Sequence, residues 1–344
     1  MKLHIINHGG DKDESRINQL VAELNNLGFI TSMGPDHNPD LPNNCNLEIG
    51  SYPARSMAAL LEEVIGSLPM EFDYLPLITE GESKIIKKWT NGVVVEKFKP
   101  TVYSYTHNRY GTVSGTETIR AHFTAEVFRK MELINPSASF RPQSAFLAEI
   151  SSPTGPLIVQ RLIEPSNLEV RIKRYHIGSP VHRYRYTEEY SSTNSCGPLR
   201  PWSRFDIPLV CFDWRHPLTD KAGNRLADEP ISDDYASMWM HNVPYAKEMA
   251  RETFLWLEHM FSEQGILLID MCIFIDKSGK IIYGEISPDC MRTRMTKNDP
   301  TLSQPLDKDL WREGKSSEDL LKYYEIAYQL LFKSQKRRTH EIKI

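Results

Sequence analysis

The longest apolar run in the chain, GILLIDMCIFI at 265–275, is followed within a few positions by the polar stretch YGEISPDCMR at 283–292. Ile266 to Ile275 and Lys280 to Tyr283 read as two hydrophobic strands joined by a Lys-Ser-Gly turn. Such a hairpin commits the chain to a sheet and aims Glu285, Ser287 and Asp289 at one end of it. That is where a rigid scaffold presents loop residues for chemistry. The run is interrupted by Asp270 and is too short to span a bilayer, so it reads as a core strand.

With 344 residues, the chain is long enough for two domains and a sizeable core. A formal net charge of -4 argues against general nucleic-acid binding, and 40% apolar residues mark a globular chain. The opening MKLHIINHGG carries one lysine and meets glycines before a signal-peptide core forms, so a soluble cytoplasmic protein is expected. The five cysteines, at 45, 196, 211, 272 and 290, contain no CxxC pair and suggest neither a disulfide framework nor a zinc site. Cys290 reads either as a nucleophile among polar groups or as a small loop residue, with no histidine in its local sequence.

Along the chain, KLHIINHGG reads as a strand and turn, ESRINQLVAELNNLG as an amphipathic helix closed by Gly28, and FITSMG and CNLEIG as strands. A helix over PARSMAALLEEVIGSL completes a β-α-β-β-α unit. The Gly9-Gly10 pair lacks the third glycine of a dinucleotide fingerprint and reads as a turn. From Leu75 the pattern changes to strands, with Asn91-Gly92 as a hairpin signal. Further helices are expected over Thr116 to Met131, Tyr245 to Glu263 and Ser317 to Phe332, the last followed by a basic tail.

In VRIKRYHIGSPVHRYRY, Arg171, Lys173, Arg174, Arg183 and Arg185 surround a Gly-Ser turn. Cations converging on a turn with a hydroxyl and exposed amides suit a phosphate ester; the alternative is a solvated basic strand. His182 beside this turn is a candidate acid-base group at neutral pH. Tyr184, Tyr186 and Tyr190 suit either stacking on a heterocycle or core packing. Asp213, His216 and Asp220 could form a metal cluster, but the DKAGN turn chemistry favours loop roles, and no metal site is assigned.

The order of these segments resembles the SAICAR synthetase family, which joins aspartate to the carboxylate of a phosphoribosyl aminoimidazole. EGESK is similar to its opening glycine-lysine hairpin, VRIKRYHIGS to VVRN-RAAGS, LIDMCIFID to LVDFKLEFG, GEISPDCMR to DE-SPD-R, and LDKDLWR to LDKD-FR. The resemblance runs from about Thr79 to Leu331 and leaves the first 75 residues uncovered. It implies an α+β fold of two lobes with nucleotide held between them, here with a small N-terminal α/β lobe added. The expected division is 1–72 for the extension, 73–165 for the strand-rich nucleotide-binding lobe and 166–344 for the substrate-binding lobe.

Carried over by position, the resemblance implies that Lys173 and Ser179, helped by Arg292, hold the ribosyl phosphate beside Gly178. Ser287, Lys308, Asp309 and Arg312 would bind substrate, and Asp270, Asp289, Glu285 and His182 are the candidate catalytic groups. Lys84 would approach nucleotide phosphates, whereas the hairpin's first lysine has become Glu82. Lys173 stands where the family has arginine, so a fork becomes a point charge.

ATP and magnesium are the implied cofactors, but the two carboxylates that would hold the metal correspond to Phe274 and Gly284, and the motif's lysine to Cys272. Neither a phenyl ring nor a glycine offers a side-chain oxygen to a hard ion. Glu285 is adjacent but should point to the opposite face. Two enzymatic readings follow. One is ATP-dependent amide ligation of a phosphoribosyl ligand with aspartate or another amine. The other keeps the scaffold and transforms a phosphoribosyl or nucleoside intermediate without ATP, as do similar relatives in pathways to nucleoside antibiotics such as pentostatin and coformycin. A nucleotide-sensing binding protein is a third reading, which the retained Asp270, Asp289 and Arg312 disfavour. Homo-oligomerisation is left open, and neither nucleic acid nor membrane is an expected partner.

Overall fold

The computed structural model describes residues 1–7, 14–34, 38, 40–41, 46–49, 56–104, 109–134, 142–178, 181, 184, 186–190, 193, 197–214, 230–295 and 299–333. Gly9, Gly10, Ser179, His182, Arg183, Arg185, His216 and Asp220 lie outside the described residues. The first elements are β1 (Lys2–Asn7), α1 (Glu14–Asn26), β2 (Ile30–Gly34), β3 (Asn46–Ile49) and α2 (Met57–Ser67). There follow β4 (Leu77–Glu80), β5 (Lys84–Lys88), β6 (Val93–Phe98), β7 (Thr101–Ser104), β8 (Arg109–Thr112) and α3 (Thr116–Glu132). Next come β9 (Gln143–Ser144), β10 (Phe146–Ile150), β11 (Leu157–Arg161), β12 (Pro165–Tyr175), β13 (Arg204–Trp214), β14 (Pro230–Ile231) and α4 (Asp233–Ala236). The chain closes with α5 (Val243–Ser262), β15 (Ile266–Asp276), β16 (Ile281–Tyr283), β17 (Met291–Met295), β18 (Gln304–Pro305), α6 (Asp309–Arg312) and α7 (Ser317–Tyr328). The α+β class expected from the sequence holds.

Two compact units emerge, one of residues 1–99 with 145–163 and the other of 100–144 with 164–344. In the first, β1 pairs in parallel with β2 and β3, and a five-stranded sheet runs β10-β11-β6-β5-β4. Helix α1 buries Ile17, Leu20 and Leu24 at helical spacing, and α2 buries Leu60, Leu61, Val64 and Ile65. Ser56 caps α2, its hydroxyl accepting from the Ala59 amide at 3.2 Å. These residues share one core with Val93, Val95, Leu147 and Val159 of the five-stranded sheet. The Asn91-Gly92 hairpin reinforces the join, since a Cβ at Gly92 would lie 2.9 Å from the Leu27 Cα. The segment 1–72, complete in its own elements, therefore does not form a compact unit apart from the strands that follow it.

The second unit is built on a sheet of order β14-β13-β12-β15-β16-β9, with β17 pairing to β15 and β18 to β17. Helix α5 packs on β12, β13 and β15 and buries Ala246, Met249, Phe254, Leu257 and Phe261. Arg174 of β12 reaches Glu258 of α5 at 2.7 Å, which marks the helix-covered face. Side chains alternate along a strand, so Glu169, Arg171 and Lys173 of β12 lie on the other face. The register sets Lys173 opposite Asp270, Arg171 opposite Cys272 and Glu169 opposite Phe274. One face of this sheet is thus apolar and covered, and the other collects charge.

Candidate functional site

At the centre of the charged face, Asp270 of β15 accepts from Lys173 Nζ at 2.8 Å and from Arg292 Nη1 at 2.6 Å. Three antiparallel strands place these groups, because Asp270 stands opposite Lys173 on one side and opposite Arg292 on the other. Burial raises the Asp270 carboxyl, but Arg292 and Lys173 outweigh it and hold it below the ordinary carboxylate range. Burial lowers and Asp270 with Asp309 raises the Arg292 guanidinium, for a net increase. Two cations therefore share one ionised carboxylate.

Lys173 also donates to the Ile177 carbonyl at 3.2 Å, tying the cluster to the turn that ends β12. Gly178 there has φ +75°, and a Cβ on it would lie 3.1 Å from Arg292 Nη2. Glycine is required both by the left-handed backbone and by this close approach. For Arg171, Lys173 and Arg174 the solvated-strand alternative fails, because β12 lies inside the sheet and these cations are paired. Arg174 is buried against Glu258 and the Phe205 and Asp206 carbonyls, and Arg171 pairs with Glu169 and Asp213.

A second layer extends from Arg292. Asp309, at the start of α6, accepts from Arg292 Nε at 3.2 Å, from Arg312 Nη1 at 2.5 Å and from Arg294 Nη2. Burial opposes ionisation of Asp309, but Arg292, Arg312 and Arg294 prevail and depress its pKa. Neighbouring Asp307 is fully buried and takes hydrogen bonds from the Thr293 and Asp309 amides and from Arg294 Nη1. Burial first, and then Asp309, push its carboxyl up to about 7. Lys308 donates to Asp289 at 3.0 Å, and the Tyr324 hydroxyl donates to the same carboxylate at 3.2 Å. The structure thus brings Lys173, Gly178, Asp270, Asp289, Arg292, Lys308, Asp309 and Arg312 into one unit.

Glu285 and Ser287 occupy a different position from the one expected. Glu285 is 3% exposed and forms a two-pronged pair with Arg120 of α3, Nε to Oε1 at 2.7 Å and Nη2 to Oε2 at 2.9 Å. The Ser287 hydroxyl donates to Glu285 and accepts from the Asp289 amide. The chain leaves β16 through Gly284 at φ +79°, and Arg120 holds Glu285 inward; neither side chain is open to a substrate, and both instead shape the turn that carries Asp289. Arg120 was not singled out in the sequence. Its signal is its place on the stripe Thr116, Phe123, Thr124 and Val127, which helical spacing buries.

Lys84 lies in the other unit, where it pairs with Glu96 at 3.2 Å and sits over the Phe98 ring. Tyr184, Tyr186 and Tyr190 are exposed by 50%, 61% and 68%, which removes their core-packing reading. Cys290 is half-buried.

The magnesium positions implied by the resemblance do not fit the ion. The Phe274 ring packs on Tyr283 with centroids 5.7 Å apart, and Gly284 is a buried glycine at φ +79°. Among the described residues no three His, Cys, Asp or Glu side chains are grouped to hold a metal. Among the same residues no helix is long and apolar enough to cross a membrane.

The chain is 24% identical over 282 residues to bifunctional cordycepin biosynthesis cluster protein 3 of Cordyceps militaris, covering 70% of this chain and 31% of that protein, so it spans about a third of that relative. It is 23% identical over 278 residues to phosphoribosylaminoimidazole-succinocarboxamide synthase of Methanocaldococcus jannaschii, covering 80% of this chain and 99% of the relative. The fold is similar to that of a SAICAR synthetase (Type-2) in complex with ADP, with a TM-score of 0.58, 20% identity, and coverage of 74% of this chain and 97% of the other. The SAICAR-synthase of Saccharomyces cerevisiae complexed with SAICAR aligns with a TM-score of 0.56 and 16% identity, covering 76% of this chain and 97% of the other. The SAICAR synthetase family model matches residues 77–327, which takes in both the charged strands and the turn of Asp289, and the chain belongs to that family.

Proposed function

We propose that this chain is an enzyme that binds a phosphoribosyl aminoimidazole-type nucleotide by its phosphate and transforms it without the magnesium-ATP half of the family's ligation. The observation that carries the reading is the sharing of Asp270 by Lys173 and Arg292 beneath the Gly178 turn. Two cations meet at Asp270, and Arg292 reaches Asp309 as well, so Lys173 and Arg292 are held side by side beneath a turn whose backbone approaches closely. A phosphate group is the natural counter-ion. Ser179, in the same turn by sequence, would add a hydroxyl, and His182 an acid-base group.

In this reading Lys173 and Arg292 anchor the phosphate, Asp309 with Arg312 and Arg294 fix the Arg292 guanidinium, and Asp289, held by Lys308 and Tyr324, is the carboxylate available for proton transfer. Lys308, Asp309 and Arg312 thereby act on the substrate through the groups they hold. The bar to magnesium at Phe274 and Gly284 supports a repurposed activity. So does the relative from a cordycepin biosynthesis cluster. The second reading, ATP-dependent amide ligation with aspartate or another amine and with Lys84 at the nucleotide, is favoured by the synthase relative matched over 99% of its length.

Two measurements test this. Charge-assisted contacts to phosphate contribute about 1.5 to 3 kcal/mol each, so Arg292→Ala should weaken calorimetric binding of an aminoimidazole carboxylate ribotide by about ten- to a hundredfold. Unchanged affinity removes Arg292 from the site. ADP release in the presence of the ribotide, magnesium and aspartate should be absent or slow, and brisk aspartate-dependent release would return the protein to the ligase reading.

A further inference from the structure

On the face that carries Lys173 and Asp270, the two strands β12 and β13 set Glu169 directly opposite Asp213. Two carboxylates in register on one face, one of them only 1% exposed, repel each other and need a positive charge between them. Magnesium or manganese would serve, since such ions keep several waters and are held by as few as one or two protein carboxylates. The chain supplies the charge itself. Arg171, between Glu169 and Lys173 on the same strand face, donates from Nε and Nη2 to Glu169 Oε2 at 3.0 and 2.6 Å, and its Nε lies 3.0 Å from Asp213 Oδ2. The Glu169 Oε1 atom in turn accepts from the Cys272 thiol at 3.7 Å.

We infer that Arg171 is a built-in cation of this site, holding the Glu169 and Asp213 carboxylates in place of a divalent metal, so that a phosphoribosyl ligand is bound with metal-independent affinity. Three observations converge on it. The guanidinium bridges two carboxylates from different positions of the sheet. The neighbouring position on β15, opposite Glu169, is Phe274, which contributes a ring and no oxygen. The bridge lies one same-face step along β12 from Lys173, a spacing of roughly 6 to 7 Å for a strand, so a ligand anchored at Lys173 and Arg292 extends over it. A guanidinium is always charged and keeps a planar fork of donors, so it delivers positive charge with no dependence on metal supply.

The second half of this inference rests on the phosphoribosyl reading, and the first half does not. Manganese binding to the full chain, followed by electron paramagnetic resonance, should find no site at Glu169 in the wild type. Arg171→Met should gain manganese affinity by at least about tenfold, because a unit charge within contact distance of both carboxylates has been withdrawn. Adding Glu169→Gln to that variant should abolish the gain. A folded Arg171→Met with no gain overturns the inference, as does wild-type manganese binding that Glu169→Gln removes. Should Arg171→Met fail to fold, the wild-type titration and its Glu169→Gln control still decide. Calorimetry with ribose 5-phosphate on the wild type should give the same affinity in EDTA and in magnesium, and a magnesium requirement that Glu169→Gln removes overturns the metal independence. Absence of any ribose 5-phosphate binding counts against the phosphoribosyl reading, while the manganese titration still judges Arg171.

Discussion

The pair between Arg120 and Glu285 offers a test in which single and double substitutions should move stability in opposite ways. Arg120 is fully buried on α3 and Glu285 nearly so, and two hydrogen bonds join them 165 positions apart in the chain. Taking one partner away leaves the other charge in the interior without compensation, which costs about 3 to 5 kcal/mol. Replacing both by apolar groups of similar volume removes the desolvation cost together with the attraction, and such exchanges are often neutral or stabilising by about 1 to 4 kcal/mol. Here the Ser287 hydroxyl would lose its acceptor, which costs about 1 to 3 kcal/mol, so the double variant should fall close to wild type. Glu285→Leu and Arg120→Met alone should each lower the unfolding free energy by about 3 to 5 kcal/mol, and the double variant should recover most of that loss. Urea unfolding followed by circular dichroism measures this, with thermal midpoints falling on the order of 10 °C for each single variant. Single substitutions costing under about 1 kcal/mol, or a double variant whose cost is the sum of the two, would refute the reasoning.

Two further outcomes are expected. Because Asp307 titrates near 7 when folded and near the ordinary carboxylate value when unfolded, the folded protein holds an extra proton between those values. The stability this confers is full below the unfolded value and is lost as pH rises through 7. The thermal stability of wild type relative to Asp307→Asn should therefore fall as pH is raised through this window, and a flat difference would count against a protonated Asp307. Deleting residues 1–72 should unfold the remainder of its unit, because Leu60, Val64 and Ile65 share a core with Val93, Val95 and Leu147. Proteolysis of the truncated chain that spares 73–99 would show that the strands stand alone.

Periodicity carried the long helices and the hairpin strands, but it left β10 (Phe146–Ile150), β13 (Arg204–Trp214) and β17 (Met291–Met295) unread. The apolar run at 266–275 and the Lys-Ser-Gly turn correspond to β15 and β16, and the expected helices at 116, 245 and 317 correspond to α3, α5 and α7 within a few residues. Those signals are local, since they record which face of each element is apolar. The order of motifs was equally legible, and it pointed to the family that the comparison establishes.

What no local signal could supply is the identity of the group across each contact. Lys173 and Asp270 are 97 positions apart, and only the register of β12 on β15 makes them partners. The register of β12 on β13 makes Arg171 the bridge between Glu169 and Asp213 rather than one more cation of a basic strand. Arg120 stands on the buried stripe of α3, but only the tertiary structure gives it Glu285, 165 positions away, as its partner. Tertiary placement then decided protonation: three guanidinium groups hold Asp309 ionised against its burial, while burial pushes Asp307, two residues away, toward neutrality. Sequence determines the faces of the elements because they follow from backbone period. The tertiary structure decides which charges meet and which stay ionised, because both depend on groups distant in the chain and on the water that packing excludes.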